Sequence, residues 1–270
     1  MQAWHHPPGV WVVENEPLTR NPPPNPLLHR VTPPHNLGYA GGINAALRAM
    51  PLPGPASILL MNTDVEVEEK DIQSLQKGLS ASETAIIGPL LSEPGPRGTR
   101  LYAGGRDPIR WTHTRIPANS PTSPQTTWPR VAYVPGTLCL IRRAVMDQLG
   151  GLEESFFFSG EIADFCLRAR SQGFHATVLT SVVIAHDTES ASARRDTLYL
   201  YYSLRNRFLL IRRHRKASAG VWRCMWFARG IAMILMRLAR GQGASARAAW
   251  LAIRDGWSDR YGPNPHDFPA

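Results

Sequence analysis

Three polar clusters stand where apolar runs end. Glu14-Asn15 follows the β-favouring run at residues 10–13 (VWVV), Asn62-Thr63-Asp64 follows residues 58–61 (ILLM), and His186 follows the run at 177–185. In an α/β sheet, ligands bind beyond the carboxyl ends of the strands. A carboxylate at Asp64 can hold Mg²⁺ or Mn²⁺, and such an ion neutralises a diphosphate. Asn62 adds only neutral donors, and an imidazole at His186 suits Mn²⁺ better than Mg²⁺. Each cluster read alone is an ordinary turn or cap. Three on successive strand ends describe a ligand-binding edge.

Two further groups carry chemistry. Glu161 and Asp164 lie three residues apart at the start of a predicted helix and therefore share a face. The run Phe156-Phe157-Phe158 before them supplies an apolar setting that raises a carboxylate pKa toward the range of a general base. First-turn acids also simply complement a helix dipole. Asn36 to Asn44 places Gly38, Gly41 and Gly42 at a helix start, where backbone can approach a phosphate. Their spacing is neither G-x-G-x-x-G nor a P-loop, so a tight strand-to-helix turn explains them equally.

The elements that must position these residues alternate strand and helix. Strands are expected at 10–13, 27–32, 58–61, 84–88, 131–141 and 177–185, with helices at about 42–50, 70–79, 143–149 and 161–172. That order predicts an α/β fold with a mostly parallel twisted sheet. Residues 92–130, rich in Pro, Gly, Ser and Thr, read as a long loop with short strands. Past 193 the character changes to arginine-rich amphipathic helix, with a second basic helix at 221–240. The boundary falls there, giving units 1–193 and 194–270.

Composition bounds the rest. The 270 residues, 43% hydrophobic, can bury a sizeable core, which excludes disorder as the dominant state. The net charge of +9 favours an anionic partner. No RNA- or DNA-binding signature accompanies that charge, so nucleic acid is not expected. Cys139, Cys166 and Cys224 lack zinc spacing and read as buried, inert thiols of a reducing compartment. The first ten residues lack the pattern of a signal peptide, and Arg223, Arg229 and Arg237 interrupt the most apolar late stretch. The expected location is cytoplasmic, peripheral on the cytoplasmic face of a membrane, with the basic helices against an anionic surface.

The order of motifs resembles the family 2 glycosyltransferases of GT-A fold, especially their rhamnosyltransferase-like branch. It runs through VVEN (12–15), NLGYAGGIN (36–44), LLMNTDVEV (59–67), VPGTLCLIRR (134–143), GGLEESFFFSGEIADFCLR (150–168), IAHDTESAS (184–192), YYSLRN (201–206) and GWSDRYG (256–262). The resemblance implies an inverting, metal-dependent transfer of a sugar, such as the deoxyhexose rhamnose. The sugar would pass from a nucleotide-diphosphate donor to a cell-surface glycan or lipid-linked acceptor, in cell-wall or polysaccharide synthesis. It places Glu14, Asn15, Asn36, Gly38, Asn44 and Asn62 on the donor, Gly136, Arg205 and Asn206 on the acceptor side, and Asp64 and His186 on a Mg²⁺ or Mn²⁺ ion. Two departures stand out. Ile162 occupies the position of the family's usual base, which leaves Glu161 or Asp164 for that role. The family's first βα unit has no counterpart before Val10. Both departures support an alternative, a catalytically impaired GT-A-like protein that binds a sugar nucleotide or a protein partner.

Overall fold

Strand β3 (Ser57–Met61), helix α2 (Glu69–Ser80) and strand β4 (Thr84–Glu93) form a strand–helix–strand unit of the kind that normally pairs its two strands directly. Here a later strand, β7 (Leu138–Arg142), enters antiparallel between them. The computed structural model describes residues 8–15, 26–51, 54–81, 83–93, 99–110, 112–116, 130–185 and 193–268. Beyond β4 the sheet continues through the antiparallel strands β5 (Arg100–Asp107) and β6 (Thr112–Ile116), while β8 (His175–Ala185) pairs with β4 in parallel. A separate two-stranded parallel sheet joins β1 (Val10–Val13) to β2 (Leu28–Val31).

The α/β class and the flanking helices agree with the sequence. The strand directions do not. Among the described residues only β1–β2 and β4–β8 pair in parallel, so the larger sheet is mixed and mainly antiparallel. A parallel neighbour needs a crossover helix. Among the described residues none lies between β4 and β5, and residues 130–137 before β7 make isolated bridges at Val131 and Tyr133.

Alternation along the strands builds one core on each face of the sheet. Ile58, Leu60, Ile86, Cys139 and Ile141 face the helices α1 (Gly38–Ala49), α3 (Arg143–Gln148) and α4 (Glu161–Ser171). Ile87, Leu138 and Leu140 face Leu75 and Leu79 of α2. The third core belongs to α5 (Ala193–His214), α6 (Ala219–Ala239) and α7 (Gly243–Trp257). Helix α7 was not foreseen: its alanine-rich face has no strong apolar period until α5 and α6 cover it.

That third core reaches into the sheet layers through Phe156 and Ile109. Trp226 of α6 is buried there and its indole Nε1 donates to Ile109 O at 3.0 Å. Of the three cysteines, Cys139 and Cys166 are buried, and burial raises both thiols, Cys166 to about 12. The expectation of three buried thiols fails at Cys224, which is exposed on α6. Trp226→Ala removes the largest side chain of the third core and its hydrogen bond, and is expected to lower stability by about 3–5 kcal/mol in urea unfolding.

Candidate active site

The polypeptide from Phe156 to Glu161 is forced into a conformation few residues tolerate. Phe157 and Ser159 have φ of 62° and 67°, and Gly160, at 105°, caps α4. Side chains from α5 hold it so. Asn206 Nδ2 donates to Phe156 O, Phe158 O and Ser159 O at 2.9, 2.9 and 2.7 Å. Arg205 Nη2 reaches Phe156 O at 3.2 Å and Nη1 reaches Gly262 O at 2.8 Å. Its Nε donates to Asn206 Oδ1 at 3.0 Å, and the guanidinium lies 4.8 Å from the Tyr202 ring centroid. Both residues are buried, so they position this loop rather than face an acceptor.

The loop in turn seats helix α1. Phe157 O accepts from the Tyr39 N–H at 2.7 Å, and a Cβ on Gly38 would collide with that same carbonyl. Gly38, at φ 70°, is required on both counts. The approach to α1 is braced by asparagines: Asn36 Oδ1 accepts from Gly38 N–H at 2.8 Å, and Asn15 Oδ1 accepts from Leu37 N–H at 3.1 Å. Asn15 Nδ2 also donates to Gly38 O at 3.1 Å. Glu14 turns toward β2, 3.3 Å from Arg30. Asn44 points away from this loop. It exchanges hydrogen bonds with Leu152 O and N–H at 2.8 and 2.9 Å and reaches Glu154 Oε1 at 2.9 Å. Every polar atom of that side chain serves the fold.

The two candidate carboxylates have opposite environments. Burial alone would raise the Asp164 pKa, but hydrogen bonds from His214 and Arg168 and the charges of Arg168 and Arg213 outweigh it and lower the pKa. Arg168 Nε sits at 2.8 Å, and Arg213 Nε and His214 Nε2 each approach Oδ1 at 2.8 Å. Asp164 therefore anchors the end of α5 to α4.

Glu161 is buried too, and its Oε2 has no hydrogen-bond partner among the described residues. Burial pushes its pKa to about 7, against a backbone hydrogen bond that lowers it. Tyr39 shares this environment, since its own pKa is raised by burial and then by the charges of Cys139 and Glu161. Tyr39 Oη donates to Gly136 O at 3.3 Å. Ile162, one residue on, belongs to the apolar core beside Gly136. The sequence singled out neither Tyr39 as a contact of Gly136 nor the Arg213–His214 pair. No local spacing signals either, because the partners lie 97, 49 and 50 residues away.

Strands β3, β4 and β8 run in one direction, so their C-terminal ends share an edge. Asn62 N–H donates to Thr137 O at 2.9 Å, which sets the outlet of β3 beside Gly136. Asp64 is half-buried just beyond. His186, the residue after β8, lies outside the described residues. Among the described residues, no three His, Cys, Asp or Glu side chains cluster around one ion.

In sequence, the chain is 28% identical over 193 residues to the low-salt glycan biosynthesis hexosyltransferase Agl10 of Haloferax volcanii, covering 67% of this chain and 59% of that protein. The chain is glycosyltransferase-like. It is also 25% identical over 158 residues to the uncharacterized protein Rv1525 of Mycobacterium tuberculosis, covering 57% of this chain and 56% of that one. The chain thus spans less than two thirds of the length of these curated relatives. No family model matches it. Among solved structures, the mannosyltransferase PcManGT of Pyrobaculum calidifontis, in complex with GDP-Man and Mn²⁺, aligns with a TM-score of 0.48 and 14% identity over 86% of this chain and 70% of that one. GalNAc-T7 with UDP, GalNAc and Mn²⁺ aligns with a TM-score of 0.49 and 15% identity over 66% of this chain and 36% of that one.

Two measurements check this geometry. A carboxyl whose folded pKa is raised to about 7 contributes its stability below the unfolded value and loses it as pH rises through about 7. Glu161→Gln should therefore match wild type near pH 4.5 and exceed it by roughly 3 kcal/mol at pH 8 in urea unfolding. Asn206→Ala leaves three carbonyls without their shared donor and should cost at least about 2 kcal/mol at every pH.

Proposed function

We propose that this chain is an inverting glycosyltransferase that transfers a hexose, or a deoxyhexose such as rhamnose, from a nucleotide diphosphate to an acceptor hydroxyl. The observation that carries this reading is Glu161. Its carboxylate is buried and opens a helix behind a strained loop, its Oε2 lacks a partner among the described residues, and its pKa lies near 7. A base poised near the working pH is what such a transfer asks of the protein. The similarity to a hexosyltransferase supports the same class.

In the proposed step, Glu161 removes the acceptor O–H proton as that oxygen attacks the anomeric carbon. The bond from that carbon to the diphosphate oxygen breaks, and the anomeric configuration inverts. Asn62, Asn15, Asn36 and Gly38 line the donor side, with Glu14 toward the base or ribose. Gly136 and Tyr39 border the acceptor side.

A half-buried carboxylate at a strand outlet fits a hard divalent ion whose remaining ligands are diphosphate oxygens. Asp64 and His186 would hold the Mg²⁺ or Mn²⁺, whose charge stabilises the leaving diphosphate. The acceptor we propose is a glycan or lipid-linked hydroxyl met at the cytoplasmic face of a membrane.

A second reading, a GT-A-like binder without turnover, draws on Ile162, which sits in apolar core where the resembled family carries an acid. Glu161→Gln separates the two. As base, its loss should lower kcat by about 100-fold or more with the donor KM little changed. The wild-type kcat should rise through about pH 7 and level off above it. Asp64→Ala should lower activity and weaken its dependence on added Mn²⁺. A wild type that binds a nucleotide sugar in calorimetry yet turns over none of a donor panel would establish the second reading.

A further inference from the structure

Helix α6 has two faces that differ in kind. One packs inward: Trp226 and Gly230 are buried, Gly230 lies against Ile253 of α7, and Phe227 meets Trp257 at 5.3 Å between centroids. The other is apolar and exposed. Val221, Met225, Ala228, Ala232 and Leu235 recur at intervals of three and four residues along it, with Val221 74% and Leu235 62% exposed. Such spacing makes a continuous stripe on a helix about 30 Å long. Helix α7 continues this surface at Trp257, whose ring lies 5.3 Å from the Arg223 guanidinium, and along α7 the positions Arg247, Trp250, Arg254 and Trp257 fall on one stripe. Trp250 and Trp257 are exposed.

The charges carried by α6 itself all have one sign. From Thr197 to Arg254 the sequence holds a dozen Arg and Lys residues and no Asp or Glu. Lys216 and Arg240 stand exposed at the two ends of α6, and Arg229 near its middle. Asp259, just beyond α7, pairs with Arg223 at 3.0 Å. A protein partner for a long apolar stripe would have to be acidic at both ends and along one edge. An anionic lipid surface offers that charge everywhere, with acyl chains beneath to receive the apolar side chains and an interface that favours Trp.

We infer that α6 lies in the plane of an anionic bilayer surface, its Val221–Leu235 stripe in the acyl boundary, its basic residues among the headgroups, and Trp250 and Trp257 of α7 at the same level. Helix α6 is long and apolar enough in one window to cross a membrane. Its inner face packs on α7 and on Ile109, and a spanning orientation would strip that packing away. The inference stands apart from any transfer activity.

Flotation of the full chain with vesicles tests it. The chain should float with phosphatidylcholine–phosphatidylglycerol vesicles (7:3) in 0.1 M NaCl and bind pure phosphatidylcholine about tenfold less, with the anionic binding falling steeply in 0.5 M NaCl. The double variant Met225→Glu, Leu235→Glu should bind at least about tenfold less to the anionic vesicles while keeping the wild-type unfolding midpoint, because both positions are exposed. Lys216→Gln with Arg240→Gln should weaken anionic binding alone. Three results would each overturn the inference: wild type left unbound by both vesicles, a double variant that floats like wild type, or a wild-type dimer in sedimentation that the double variant abolishes.

Discussion

The arrangement rests on one asparagine amide. Asn206 gathers the carbonyls of Phe156, Phe158 and Ser159, and Arg205, held over tyrosine rings, adds a fourth contact and fixes the amide's own oxygen. Without that buried pair, Phe157 and Ser159 would relax from positive φ, a conformation that costs non-glycine residues of order 1–2 kcal/mol each. The loop then does two jobs. It aims Glu161 at the head of α4, and it offers Phe157 O to the first turn of α1. The start of α1 and the position of Glu161 are therefore set by one segment, and that segment is set from α5.

Two carboxylates one helical turn apart illustrate how surroundings divide chemical roles. Asp164 and Glu161 are both buried on α4. Asp164 meets two guanidiniums and an imidazole, which stabilise its charge and tie the end of α5 to α4. Glu161 is desolvated with no cation paired to it among the described residues, so its proton is held to about neutral pH. The same residue class yields a structural anion in one case and a group poised for proton transfer in the other.

The helices α5, α6 and α7 do more than cap the molecule. Their shared core encloses Phe156, so the packing that steadies α6 also steadies the loop before Glu161. With its inner face occupied in this way, α6 presents the opposite face outward, apolar along its length and flanked by arginine. The exposed face and the loop before Glu161 are thus two products of one helical packing.

The strand–helix alternation was legible in the sequence, because it depends on local period and on turn chemistry. So was the short list holding Glu161 and Asp164, since a three-residue spacing on a helix fixes a shared face. Which of the two was held by cations was not legible. Arg213 and His214 come from the far end of α5, and no local pattern encodes a contact across some fifty residues. Strand direction was equally hidden: β7 is apolar enough for any interior position, and only its pairing partners made it antiparallel between β3 and β4. Asn44, Arg205 and Asn206 carry side chains suited to ligands, and burial against backbone carbonyls and amides turned them into braces. The sequence determined which residues can do chemistry and which faces are apolar. The tertiary structure decided which of those groups were consumed in holding the fold, because desolvation and partner geometry exist only once distant segments meet.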